Sequence, residues 1–197
     1  MRMADARYAR VLMTPTSPDP RFTIRDGLRR TTRDAHARVD GLLAGGLAAI
    51  ADYAVYQRGM QRFIGDAAER LDDVGYRAQR DLLTRDLADL RLPALDRDTP
   101  ADPIVDTDAR LGWQYVIEGS SLGARLLARD AAKLGFDETH GARFLSSHRE
   151  SPRWPALLAR LEHATSPDRL RDAAQSAFAA AERALRRALA TPLVAGR

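Results

Sequence analysis

Residues 115–127 read YVIEGSSLGARLL and lie inside a stretch with the composition of one long helix. Gly119 and Gly123 stand four positions apart in it, with Ser120 and Ser121 between them. An interior glycine destabilises a helix by about 1 kcal/mol relative to alanine. Because residues four apart share a helical face, both glycines remove side chains from one side of the helix. Such a face suits the close approach of a ligand, and it equally suits close packing against another helix.

Helical periodicity continues over the rest of the chain, and no segment alternates convincingly with a period of two. Asp52 is expected to cap the second helix, Gly135 to end the fourth, and Ser166 with Pro167 to start the last. The sequence predicts an all-α domain over residues 23–191, with a mobile extension over 1–22 and a tail over 192–197. The expected helices are about seven, at residues 23–43, 52–72, 77–90, 106–134, 138–147, 155–163 and 167–190.

The composition limits the function classes that need to be considered. The 197 residues include no cysteine, which excludes disulfides and thiolate-bound metals. Soft-metal binding would rest on four histidines, His36, His140, His148 and His163. The net charge is +4, but arginines alternate with aspartates, as in RDLLTRDLADLR, and this pattern favours solvated helix faces over nucleic-acid binding.

The chain also lacks the sequence pattern of a membrane or export signal. The first 20 residues contain no signal-peptide core, and the longest weakly polar run, residues 41–51, is about half of a membrane span. We therefore expect a cytoplasmic protein. No heptad seam or large exposed apolar stripe argues against a monomer.

The first predicted helix contains LRRTTRDAHARVDGLL at residues 28–43, where His36 falls among the apolar positions. A lone inward histidine is most often a hydrogen-bonded core residue. Asp40, one turn later, could instead fix the tautomer and orient a ligating nitrogen. Arg29 and Arg33, two turns and one turn earlier, suit the carboxylates of a flat apolar ligand, although a solvated face explains them equally. His148 and His163 lie near predicted helix ends, where exposure is expected, and His140 lacks the paired Glu-x-x-His pattern of a di-iron bundle.

Three segments of the chain resemble the bacterial heme oxygenases, of the branch that includes bacteriophytochrome-associated and iron-acquisition enzymes. Residues 28–43 are similar to the family's proximal pattern Leu-Arg-x-x-Thr-Arg-x-x-His-x-x-(Val/Leu)-Asp. Residues 115–129, YVIEGSSLGARLLAR, are similar to its distal pattern Tyr-Val-x-Glu-Gly-Ser-x-Leu-Gly. LGFDETHGARFL at 134–145 and PRWPALLARLE at 152–162 resemble the segment that follows.

This resemblance implies a single-domain helical bundle that holds heme between its first, proximal helix and its long fourth, distal helix. His36 would be the axial ligand of the heme iron, and Gly119, Ser120 and Gly123 would form the catalytic segment on the opposite face. The implied reaction opens heme to biliverdin, CO and iron. Heme is then both cofactor and substrate, O₂ is consumed, and a ferredoxin, a flavoprotein reductase or a small reductant supplies electrons. A bacteriophytochrome is one implied recipient of biliverdin.

The resemblance also assigns roles to the remaining site residues, and each of these roles has an alternative. The resemblance places Arg29 at a basic position suited to a propionate, with Lys133 and Arg160 as weaker candidates. Tyr115 and Phe144 would line or support the pocket, and core packing is their equal alternative. Ser120 stands where the animal enzymes carry aspartate, which favours the bacterial branch. A heme- or tetrapyrrole-binding protein of the same fold without catalysis is the alternative function.

Overall fold

The computed structural model describes residues 20–43, 46–96, 102–148 and 152–193, with the side chains of 20–23 left out. These ranges contain seven helices and no strand, which confirms the predicted all-α architecture. Residues 1–19 of the predicted extension and 194–197 of the predicted tail lie outside the described residues. The helices are α1 (Pro20–Gly41), α2 (Ile50–Arg70), α3 (Val74–Asp89), α4 (Thr107–Lys133), α5 (Arg143–Ser147), α6 (Arg153–Leu161) and α7 (Pro167–Ala190).

The last helix, α7, is the element on which the other long helices assemble. α1, α2 and α4 each pack against α7, whose buried face is mostly alanine. A Cβ added to Gly112 on α4 would lie 2.8 Å from the Cβ of Ala173. A Cβ added to Gly59 on α2 would lie 2.6 Å from a methyl carbon of Leu185. Glycine at these two positions lets α4 and α2 press closely onto α7, and this contact fixes the path of α4.

Side chains from neighbouring helices hold both ends of α7. At its start, the buried carboxylate of Asp108 accepts hydrogen bonds from the backbone N–H of Ser166 at 2.7 Å and of Thr165 at 3.2 Å. Ser166 does occupy the N-cap position, as predicted, but its own side chain makes no capping hydrogen bond. At the other end, the buried Arg58 donates to the carbonyl of Thr191 at 3.1 Å. α7 is therefore tied to α4 and to α2 at opposite ends.

The predicted cap of α2 and the predicted start of α5 are wrong, and local hydrogen bonds explain both. Asp52 is not the N-cap of α2 but its third residue, where its carboxylate accepts from the backbone N–H of Ala49 at 2.9 Å. The helix predicted from residue 138 begins only at Arg143. Upstream, the carboxylate of Asp137 accepts from the N–H of Thr139 at 2.8 Å and closes a turn instead.

Gly135 has φ +89° directly after the C-cap of α4, so the predicted end of that helix is confirmed. Across the described residues, none of the helices combines the length and apolar character needed to cross a bilayer.

Candidate functional site

The candidate site lies along α1 and α4, which share two supporting helices. Both pack on α7 and on α6, and within the described ranges they do not pack on each other. Arg25 and Arg29 of α1 nevertheless interact electrostatically with Tyr115 of α4. Burial raises the pKa of the Tyr115 hydroxyl, and the two positive charges oppose that shift. We call the space between these helices the α1–α4 groove.

His36 stands exposed on α1 with one ring nitrogen already engaged. Its side chain is 61% exposed, and Nδ1 lies 2.8 Å from a carboxylate oxygen of Asp40. The ring edge packs on Phe178 of α7 at a centroid distance of 5.6 Å. The imidazole is thus mostly exposed, and only its edge packs inward against Phe178. The contact with Asp40 holds the ring through Nδ1 and leaves Nε2 as the nitrogen available to a ligand.

On α4, an apolar stripe with little side-chain bulk is open to solvent. Leu122 is 62% exposed and Leu126 63%, and both share a face with Gly119 and Gly123. A Cβ added to Gly123 would meet nothing within 4 Å. We call Gly119, Leu122, Gly123 and Leu126 the glycine stripe. Two large exposed leucines around a helical surface without bulk form a surface suited to a flat apolar ligand.

Trp154 of α6 shows which way this stripe faces. A Cβ added to Gly119 would lie 3.6 Å from the Trp154 ring, an ordinary contact. The same ring lies 5.7 Å from the ring of Tyr115, measured between centroids. Tyr115 in turn lies near the arginines of α1. The Gly119 end of the stripe therefore lies beside Trp154 of α6, and the stripe is open at Gly123.

The two serines between the glycines bond to their own helix. The Ser120 hydroxyl donates to the carbonyl of Ile117 at 2.7 Å, and the Ser121 hydroxyl donates to that of Glu118 at 2.5 Å. Bonds of this type compete with the helical ladder and often bend a helix. Ser120 is exposed, and its oxygen lone pairs remain free to accept a hydrogen bond from a pocket water.

The candidate charged and aromatic residues are spread unevenly around the groove. Arg29 is exposed on α1 near Tyr115, at the groove end that α6 closes. Lys133 is exposed and pairs with Asp130 at 2.7 Å. Arg160 is engaged by the buried Gln114, whose side-chain oxygen accepts from it at 3.0 Å. Arg29 thus interacts electrostatically with Tyr115, whereas Lys133 and Arg160 are each held by a partner on α4.

Phe144 belongs to the core, which favours the alternative reading of this residue. It is 1% exposed, and its ring meets His148 edge-on at a centroid distance of 4.7 Å. His148 is itself buried, at 8% exposure, so the expectation that it is exposed is wrong. Burial, and to a lesser degree the nearby Arg153, lowers the pKa of His148 to about 4. His163 is exposed, as expected.

Sequence reasoning missed a buried charged cluster directly behind the stripe. Glu118 precedes Gly119, yet it is 2% exposed and accepts hydrogen bonds from the Tyr76 hydroxyl and from Arg153 Nε, both at 2.6 Å. The carboxylate raises the pKa of the already buried Tyr76 further above its ordinary value. The sequence contained one signal for the burial of Glu118. This residue lies seven positions after the buried Leu111 and so falls on the inward face of α4.

The other features of the described surface do not form a second candidate site. A shallow cavity of about 430 Å³ lies on another side, lined in part by Arg70, Trp113 and Arg169. It contains neither His36 nor the glycine stripe. Among the described residues, no group of three or more histidines and carboxylates is placed to hold a metal ion. An iron held through a macrocycle and one imidazole does not need such a group.

Comparison with known proteins agrees with this geometry. No protein-family model matches the chain. The heme oxygenase PigA of Pseudomonas aeruginosa is 42% identical over 71 residues, which are 36% of this chain and 36% of that protein. The matched part thus spans little more than a third of that relative's length. The crystal structures of the NO- and CO-bound heme oxygenase from Neisseria meningitidis include a chain that superposes with a TM-score of 0.69 at 25% identity, covering 86% of this chain and 93% of that one.

The helical bundle has the heme oxygenase fold, and it carries an exposed imidazole on α1 and an open glycine stripe on α4. The chain is thus similar to bacterial heme oxygenases in fold over most of its length and in sequence over 36% of it.

Proposed function

We propose that the protein is a heme oxygenase, which opens heme to biliverdin, CO and ferrous iron with O₂ and electrons from a separate donor. The observation that carries the proposal is that α1 and α4, which share α6 and α7 as supports, present an exposed, carboxylate-held imidazole and an open glycine stripe respectively. The residues present fit heme. The donor is an imidazole nitrogen, and the glycine stripe is apolar and without bulk at Gly123.

When bound, heme supplies both the iron that takes up O₂ and the ring that is oxidised. His36 Nε2 is the proposed iron ligand, held in orientation by Asp40 through Nδ1. Leu122 and Leu126 would exclude water from the bound ring, and Gly123 would let the α4 backbone approach it closely.

The polar residues of the groove have positioning and proton-handling roles in this proposal. Arg29, near Tyr115, is the proposed partner of a propionate, since a guanidinium binds carboxylates in a bidentate manner. Lys133 and Arg160 are secondary candidates, because each already has a partner on α4. The Ser120 oxygen is the proposed anchor of a water that delivers protons on the glycine side.

The external partners follow from the chemistry. Ring opening with O₂ consumes electrons, so a ferredoxin, a flavoprotein reductase or a small reductant belongs to the proposal. The reaction has two proposed purposes: it supplies biliverdin as the chromophore of a bacteriophytochrome, or it releases iron for nutrition. Binding of heme or another tetrapyrrole without turnover remains the second candidate. It is favoured by the departure at Ser120, whose hydroxyl hydrogen is directed to the carbonyl of Ile117 rather than to the groove.

Substitution of the iron ligand tests the site. The wild-type protein is expected to bind added hemin with a sharp Soret band. His36→Ala is expected to lose the ferric imidazole spectrum, and added imidazole should restore it. Asp40→Ala should keep the spectrum but weaken hemin binding by about tenfold or more, the usual effect of removing the group that orients a ligating histidine.

His163→Ala is the matched control, because this histidine is also exposed but lies beyond the end of α6. It should bind hemin as the wild type does. An unchanged ferric spectrum in His36→Ala would remove His36 from the proposal.

A further inference from the structure

A cluster of four residues, of which Glu118 and Tyr76 are buried, joins three helices beside the glycine stripe. The Glu118 carboxylate of α4 accepts from the Tyr76 hydroxyl of α3 and from Arg153 Nε of α6, both at 2.6 Å. Arg153 also donates to the Asp73 carboxylate at 3.2 and 3.3 Å. Its guanidinium lies 4.3 Å from the centroid of the Tyr76 ring. We call Asp73, Tyr76, Glu118 and Arg153 the Glu118 cluster.

This cluster strongly favours one arrangement of the three helices. Glu118 is 2% exposed and Tyr76 is fully buried, so the carboxylate has little access to water. A buried charge is costly unless it is paired and hydrogen-bonded. Bonds between charged groups are short and strong, and their geometry restricts how the partners can move. Any shift of α6 along α4 would stretch the bond between Arg153 and Glu118 and leave the carboxylate without its counter-charge.

The next residue of each helix connects the cluster to the candidate site. Gly119 follows Glu118 on α4, and Trp154 follows Arg153 on α6. The Trp154 ring lies 3.6 Å from the position that a Gly119 Cβ would occupy. Helix α6 therefore holds α4 at two successive residues, by charge on the buried side and by an aromatic ring on the glycine side.

We propose that Glu118 is a positioning residue of the distal segment: through Arg153, it fixes where Trp154 lies beside Gly119 and so sets the width of the groove over the glycine stripe. Any effect of Glu118 on catalysis rests on the proposed function, whereas its effect on the placement of Trp154 does not. The segment needs such a fixed point. Two interior glycines and the back-bonded Ser120 and Ser121 all weaken the regular helix here.

The first test uses protein without hemin and reads the position of Trp154 directly. Glu118→Gln keeps the size and one acceptor oxygen but removes the charge. The chain has two tryptophans, so subtracting the spectrum of the matched Trp154→Phe protein isolates the emission of Trp154 from that of Trp113. We expect its emission to shift to the red and its quenching by acrylamide to rise. The loss of charge-assisted bonds should raise the population of alternative placements about tenfold.

Glu162→Gln is the matched control, because Glu162 is an exposed carboxylate at the end of the same helix. It should leave Trp154 emission unchanged. Tyr76→Phe is the second variant, because it removes one of the two bonds and keeps the charge pair. It should shift Trp154 in the same direction by a smaller amount, and it decides the question if Glu118→Gln does not fold. Folded Glu118→Gln or Tyr76→Phe protein with wild-type Trp154 emission and quenching would overturn the inference.

The second test reads the groove in hemin-loaded protein through the C–O stretching band of its ferrous CO form. A fixed groove should give one narrow band in the wild type and in Glu162→Gln, and a broadened or split band in Glu118→Gln. One unchanged narrow band in Glu118→Gln would show that the cluster has only a structural role. If the wild type fails to bind hemin, the proposed function fails, while the emission of Trp154 still decides the positioning role.

Discussion

Alanine at Gly123 should stabilise the hemin-free protein and impair the hemin complex. Gly123 lies inside α4, and an added Cβ would meet nothing within 4 Å. Replacing an interior helical glycine by alanine contributes about 1 kcal/mol to the free energy of unfolding. For a chain of this size, that corresponds to a rise in Tm of about 2–4 °C. Denaturation of hemin-free protein measures this effect.

The same methyl group should weaken hemin binding. It would project from the stripe against which the macrocycle is proposed to lie, and it would hold the α4 backbone away from the ring. Overpacking a close contact costs about 1–3 kcal/mol, so hemin affinity should fall by about fivefold to 150-fold. Titration with hemin, followed at the Soret band, measures the loss.

Gly65→Ala provides the matched control. Gly65 lies inside α2, where an added Cβ would be 3.6 Å from Arg80 Cδ, an ordinary contact. This variant should show a similar gain in stability with unchanged hemin affinity. Equal hemin affinity in the two variants would refute the placement of Gly123 against the ligand. A loss of stability in hemin-free Gly123→Ala would show that the space beside this residue is filled.

Two further predictions concern packing and pH. Gly112→Ala should lower the free energy of unfolding by about 1–3 kcal/mol, whereas Gly123→Ala should raise it. The reason is that the added Cβ at Gly112 would lie 2.8 Å from the Cβ of Ala173 and 2.9 Å from a backbone nitrogen. A gain in stability in urea denaturation would contradict the packing of α4 on α7. His148 has its pKa lowered from 6.5 to about 4 by burial and by Arg153, so the unfolded chain binds a proton more readily between these values. Stability should therefore decline as the pH falls from about 6.5 towards 4, by up to about 3 kcal/mol. Denaturation at a series of pH values should show a shallower decline for His148→Phe than for His163→Ala, and equal declines would contradict the assignment.

The parts of the fold that were predictable from sequence depend on local signals. Helical periods locate the seven helices of the described ranges, since each buried face recurs along its own segment. Gly135 marks the end of α4 because a positive φ suits glycine. The relation of His36 to Asp40 was also foreseeable, since residues four apart on a helix are neighbours.

The parts that were not predictable depend on contacts between distant segments. Glu118 and Arg153 are 35 residues apart, and nothing local to either shows that α6 brings them together. His148 lies at a short helix end, where exposure is the reasonable expectation, but the adjoining ring of Phe144 helps to bury it. At residues 137–142 the helical pattern is overridden, because Asp89 on α3 accepts the backbone N–H of Gly141 at 2.8 Å and the turn at Asp137 forms instead.

A single-turnover reaction of the hemin-loaded protein tests the central claim most directly. The ferric complex is supplied with reductant and O₂, and the products are separated by chromatography. The account predicts loss of the Soret band with formation of biliverdin and chelatable ferrous iron. A ferrous complex that takes up O₂ and returns to intact ferric heme, with no open-chain tetrapyrrole among the products, would contradict it.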